Sequence, residues 1–318
     1  MRLVTRCLAL LAALCLAGCG GERPLTVAVQ PWIGYESLCL AQQFGWLPPQ
    51  VTLRHGQSAA DSLAALQAGT AEAAALTLDE VLRARAAGVP VSVILILDSS
   101  AGADVLLARP DITRLADLAG KRVGYEPTAV GALVLSEILT RAGLAQDAIQ
   151  RVELPISQQL AAWRSGAIDA VVSYEPTAGK IEAQGATRLF DSRQMPDTIF
   201  DVLAVRRDRM DGRSALLRRL VEAHFRALAY VRGNREDAVY RIAEHQGMSA
   251  ADVRRALAGV ILPDLAGNRY ALRTGSRFEQ AAGRLNRLMV QRHLLAAVDP
   301  LQDLFDADFL PGAEPAAP

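Results

Sequence analysis

Lysine is almost missing from this chain: only Lys121 and Lys180 occur, and arginine supplies the rest of a basic total that balances the acidic one at zero formal net charge. Without a basic run there is no surface for a phosphate backbone, which argues against a nucleic-acid binder. Cysteine is scarce as well. Cys7, Cys15 and Cys19 crowd the start, so a mature chain would keep Cys39 alone and no disulfide framework is possible. Cys39 sits between Leu38 and Leu40 and is expected to be a buried, inert thiol. The four histidines, His55, His224, His245 and His293, are scattered with no pair on one helix face, so no metal site is expected. There is no glycine-rich phosphate loop, no nucleophile elbow and no CxxC motif, and no cofactor is expected. The apolar run Cys7 to Ala17 is too short to span a bilayer comfortably.

That run does suit the core of a signal peptide, since Arg2 and Arg6 precede it and Leu16, Ala17, Gly18, Cys19 close it. The closing residues resemble the lipobox of bacterial lipoproteins. A leader over 1–18, lipid on Cys19 and a flexible tether over 19–24 are therefore expected.

The mature part is organised around a repeat. Leu63 to Gly88 reads LAALQAGTAEAAALTLDEVLRARAAG, and 97 positions on Leu160 to Gly185 reads LAAWRSGAIDAVVSYEPTAGKIEAQG. Each copy is a helix end, a glycine, an acidic residue opening a short apolar strand, and a new helix. Strand and helix signals alternate throughout, which predicts mainly parallel sheets covered on both faces. The expected architecture is two similar doubly wound α/β lobes: lobe I from 25–98 and again 200–310, lobe II from 99–199, and a tail over 311–318. The chain crosses between lobes at Asp98 to Asp104 and near Ile199 to Val205, which makes a two-strand hinge. From Ser214 onward only helices are predicted.

Several segments then carry a family likeness. Trp32, Ile33, Gly34, Tyr35 follow the first strand; Leu66, Gly69, Glu72, Ala73 lie in the first copy of the repeat; Asp98, Ser99, Gly102, Ala103, Asp104 mark the crossing; and Gly166, Ile168, Asp169, Ala170 precede Tyr174, Glu175, Pro176. In this order they resemble the nitrate, sulfonate and taurine type of ABC-importer substrate-binding protein, whose fold thiamine-precursor-binding proteins share. The resemblance implies a type 2 periplasmic-binding-protein fold, a monomer that closes like a flytrap on a small molecule, and an ABC permease as partner. It implies no catalytic residue.

In parallel α/β lobes ligands sit beyond the carboxyl ends of the strands. Those ends carry the candidate binding residues Trp32, Gly34, Tyr35, Thr77, Asp98, Glu126, Thr128, Val130, Tyr174, Glu175 and Asp201. Helix starts at Gly34 and Gly131 would aim backbone N–H groups into the cleft. The rim is acidic, with Glu36, Asp98, Glu126, Glu175 and Asp201 but no arginine. That composition favours a ligand with an amine, amidine or heteroaromatic nitrogen, zwitterions included, over a purely anionic one. Two other readings stand beside import. The same fold resembles pyrimidine-precursor synthases and menaquinone-pathway lyases, and a closing binder can also report to a membrane kinase.

Overall fold

The computed structural model describes residues 23–127 and 130–312. The expected leader, Cys19 and Thr128 lie outside the described residues. No helix among those described is long and apolar enough to cross a membrane.

Strand β1 (Leu25–Val29) leads through a 3-10 turn at Ile33–Tyr35 into α1 (Glu36–Gln43), then β2 (Val51–His55), α2 (Ala59–Gln67), β3 (Ala73–Thr77) and α3 (Leu78–Ala86). β1 pairs in parallel with β2 on one side and β3 on the other. The short side chains of β3, Ala-Ala-Ala-Leu-Thr, are all buried, which lets helices approach both faces closely. At the start of α2 the Ser58 hydroxyl accepts from the Asp61 amide, while the Asp61 carboxylate takes the Gln57 amide at 2.8 Å.

After β4 (Val91–Ser100) the chain crosses to a second sheet. There β5 (Asp104–Ala108), β6 (Arg122–Tyr125), α4 (Val130–Ala142), β7 (Gln150–Glu153), α5 (Ile156–Arg164), β8 (Ala170–Tyr174), α6 (Thr177–Glu182) and β9 (Thr187–Asp191) follow. The repeat in sequence is a repeat in space. α2 and α5 start 97 residues apart, as do β3 and β8, and the parallel order β2-β1-β3 recurs as β7-β6-β8. Gly69 and Gly166, equivalent in the repeat, both leave their helices with left-handed backbone, φ 70° and 72°. Thr70 and Ala167 then donate back to Ala65 and Ala162, the hydrogen bonds that close a helix at a glycine.

β10 (Phe200–Arg206) returns to the first sheet. α7 (Ser214–Gly233), α8 (Arg235–Gln246), α9 (Ala250–Ala258), β11 (Val260–Ile261), α10 (Leu265–Ala271) and α11 (Arg277–Gln291) complete the fold. The sheets run β11-β4-β10-β3-β1-β2 and β7-β6-β8-β5-β9.

Both sheets are mixed rather than mainly parallel. Each crossing delivers a strand in the opposite sense: β10 lies antiparallel between β3 and β4, and β5 antiparallel between β8 and β9. Apolar runs report burial, not direction, so the sequence could not reveal this. β4 also extends past Leu97, because Asp98 and Ser99 pair with Asp201 and Phe200 on β10. The carboxy-terminal part is not purely helical either, since β11 pairs with Ser99 and Ser100 of β4. Leu310, the last residue assigned to lobe I, is buried.

The exposed side of β4 is closed piecemeal. Val93 exchanges hydrogen bonds with Leu304 and Asp306, and the fully buried Asn268 imitates a neighbouring strand. Its Oδ1 accepts from the Ile96 amide at 2.7 Å and its Nδ2 donates to the Ile96 carbonyl at 3.1 Å. Asn268→Leu keeps the volume but strands both backbone groups. A loss of about 2 kcal/mol is expected, read as a lower urea midpoint at unchanged slope.

Candidate functional site

The carboxyl ends of β1 and β3 in one sheet and of β6 and β8 in the other face a shared cleft, whose solvent-reachable part is only about 20 Å³, space for one water. Two aromatic rings meet across it. Trp32, just past β1, and Tyr174, the last residue of β8, stand edge to face with centroids 5.5 Å apart. Of the expected residues, Trp32, Tyr35, Thr77, Val130, Tyr174 and Asp201 line this cleft.

The others lie behind it or away from it. Asp98 is fully buried and takes the Trp32 indole N–H on Oδ2 at 2.9 Å. Gly34 packs over that same carboxylate, so closely that a Cβ there would sit 1.6 Å from Oδ2. Glu126 backs Tyr174, accepting its hydroxyl at 3.1 Å and the Ile156 amide at 3.2 Å. Glu175 turns toward α6 instead, where one oxygen accepts from the Gly179 amide. Glu36 meets His245 and Gln246 on α8. At the other helix start, a Cβ on Gly131 would meet the Glu126 backbone at 3.0 Å, so glycine there serves a close approach of chain to chain.

Six lining residues were not on the candidate roll: Gln30, Pro31, Ala59, Glu80, Asp104 and Ile199. Gln30 joins a buried relay. Ser62 donates to its Oε1 at 2.6 Å, its amide donates to the Tyr35 hydroxyl, and Tyr35 donates to Asp201 Oδ1 at 2.5 Å. Glu80 is the third helical residue of α3 and accepts the Thr77 amide on Oε2 at 2.9 Å. The Thr77-x-x-Glu80 spacing of a capping box was the signal that could have found it. Asp104 opens β5 immediately after the crossing.

The electrostatics of this floor are one-sided. Glu80, Asp98, Asp104 and Asp201 are all at most 2% exposed. Burial pushes the Asp98 carboxyl up to about 7, that of Glu80 to about 8 and that of Asp104 to about 6, and it holds Asp201 well above the usual carboxylate range. The neighbouring Asp98 charge adds to the rise at Asp201, as Asp79 does at Glu80. Oδ1 of Asp98, Oδ2 of Asp104 and Oε1 of Glu80 have no hydrogen-bond partner among the described residues. Among the described residues, no lysine, arginine, histidine, cysteine or serine lines this inner part of the cleft. Carboxyl oxygens in a small space, flanked by three aromatic rings, can hold a positively charged or N–H-rich group.

A taurine-binding periplasmic protein of Escherichia coli (strain K12) is 27% identical over 161 residues, half of each chain, so this chain spans about half the length of that curated relative. The alkanesulfonate-binding protein SsuA from Xanthomonas axonopodis pv. citri, solved bound to MOPS, superposes with a TM-score of 0.72 at 19% identity, covering 89% of this chain and 98% of that one. The desulfurization enzyme DSZB gives a TM-score of 0.65 at 19% identity over 91% of this chain and 98% of its own. These structural likenesses show the periplasmic-binding-protein fold, which serves both binders and enzymes. The sequence profile described as NMT1/THI5 like matches residues 40–238, more than half of the 318 residues, and the chain belongs to that family.

Proposed function

We propose that this protein is an extracytoplasmic solute-binding protein whose cleft captures a small organic cation, or a zwitterion presented ammonium end first, for an ABC importer. The observation that carries the ligand class is the set of buried carboxyl groups, Glu80, Asp104 and Asp201, facing an inner cleft that no cationic side chain lines among the described residues. A bound ammonium or amidinium would draw these raised carboxyls into their ionised form, and the faces of Trp32, Tyr35 and Tyr174 each add roughly 0.5–2 kcal/mol of cation–π attraction.

The mechanism in this reading is closure. One lobe comprises 25–98 and 200–310, the other 99–199, and β4 and β10 form the hinge where Ser100 donates to the Ile199 carbonyl. Contacts from Trp32 and Tyr174 to one ligand exist together only when the lobes meet, so ligand shifts the population toward the closed form. Lipid on Cys19 holds the monomer at the outer face of the membrane within reach of its permease.

Thermal unfolding of the chain against amines, nitrogen heterocycles, amino sulfonates and nitrogen-free alkanesulfonates tests the ligand class. At 100 times its dissociation constant, a cation-bearing ligand is expected to add ~2.7 kcal/mol, an upward shift of roughly 5 °C, and Asp201→Asn to abolish the shift. An equal shift with a nitrogen-free alkanesulfonate, retained in Asp201→Asn, would refute the assignment.

A further inference from the structure

At the mouth of the cleft, three side chains far apart in sequence converge. Sγ of Cys39 on α1, one ring nitrogen of His55 at the end of β2 and one of His245 in the last turn of α8 all lie within 4.8 Å of one another. The two imidazole rings stand 5.9 Å apart, centroid to centroid. His245 is already oriented. Its Nδ1 lies 3.0 and 3.1 Å from the two oxygens of Glu36, which is 2% exposed and also takes the Gln246 amide. With Nδ1 donating to Glu36, Nε2 keeps a free lone pair. A carboxylate behind an imidazole is the arrangement that fixes the tautomer and direction of metal-bound histidines.

The donor set decides the cation. One thiolate and two imidazoles suit a borderline-soft ion and not a hard one such as Ca²⁺ or Mg²⁺. In a tetrahedral site with bonds of about 2.0–2.3 Å, neighbouring ligand atoms are about 3.3–3.8 Å apart, so the cluster must contract by roughly 1 Å. Both histidines are exposed, and rotation about their side-chain bonds supplies that much. The geometry points to a zinc site formed by Cys39, His55 and His245, with Glu36 orienting His245 and the fourth position open toward the groove walled by Ser157 and Thr177.

Zinc chloride titrated into the full chain, followed by calorimetry, is expected to give one site of micromolar or tighter affinity. His55→Ala and Cys39→Ser should each weaken it by at least about tenfold. Co²⁺ should give a thiolate-to-metal charge-transfer band that disappears in Cys39→Ser, which separates this thiol from the cysteines near the start of the chain. His55→Ala alters an exposed residue, so its result stands even if Cys39→Ser folds poorly. No zinc uptake, or uptake and a cobalt spectrum unchanged in both variants, would overturn the site. None of these outcomes depends on the ligand class assigned to the cleft.

Discussion

Asp98→Asn is expected to gain roughly 4 kcal/mol of stability over the parent chain between about pH 4 and about pH 8. In the parent, burial raises this carboxyl from 3.8 to about 7 in the folded state. A raised acid binds its proton more tightly when folded, so its stabilising contribution is complete below the unfolded value near 4. It is lost as the pH climbs through 7. Asparagine is neutral at every pH and reproduces the protonated group: its carbonyl can accept the Trp32 indole N–H, and its amide can face Asp201. The two stability curves should run close together near pH 4 and diverge steadily above it. Removing the Asp98 charge also lowers the cost of ionising Asp201, which acts in the same direction.

Taking the difference between the two proteins matters because another buried group slopes the other way. Desolvation lowers His224 to about 3, so its contribution is present above about 6.5 and fades as the pH falls. It cancels in the comparison. Urea unfolding at a series of pH values, followed by tryptophan fluorescence, measures the gap directly. Parallel curves would mean that Asp98 is ionised in the folded protein throughout, and the picture of a neutral, proton-holding cleft floor would fail.

The sequence exposed the architecture where local chemistry repeats, and lost it where distant segments meet. The 97-residue offset carried α2 onto α5 and β3 onto β8, because a helix end, a positive-φ glycine and a short apolar strand are written in adjacent residues. The direction of β5 and β10 depends on the route of the chain between sheets, and no residue encodes that alone. The same holds for the site. Trp32, Tyr35 and Tyr174 could be placed at the cleft because strand ends are recognisable, and all three line it. Gln30 could not, since its role is to hold the Tyr35 hydroxyl beneath Ser62, which lies 32 residues on. The histidines looked scattered because spacing along one helix says nothing about a strand end and a helix end meeting in space; His55 and His245 are 5.9 Å apart, ring to ring.

Gly34→Ala, the addition of one methyl group, is expected to cost about 4 kcal/mol and to remove ligand binding. The backbone at Gly34 does not require glycine, because its φ lies outside the left-handed range. The obstacle is steric. A Cβ would sit 1.6 Å from Asp98 Oδ2, 2.4 Å from its Cγ and 2.7 Å from the Trp32 indole nitrogen. Asp98 has nowhere to retreat, being fully buried on β4 with Asp201 opposite it on β10. Overpacking of this kind costs about 1–3 kcal/mol, and breaking the Trp32 bond to an acidic group adds about 1.5–3 kcal/mol. Trp32 would then lose the contact that holds it edge-on to Tyr174, and with it the wall shared by the two sheets. A double-mutant cycle isolates the cause. Asp98→Ala deletes the atoms that the new methyl strikes, so Gly34→Ala should cost far less in that background, with a coupling of about 2 kcal/mol measured by urea unfolding. If the two losses simply add, the glycine is needed for something other than room above the Asp98 carboxyl.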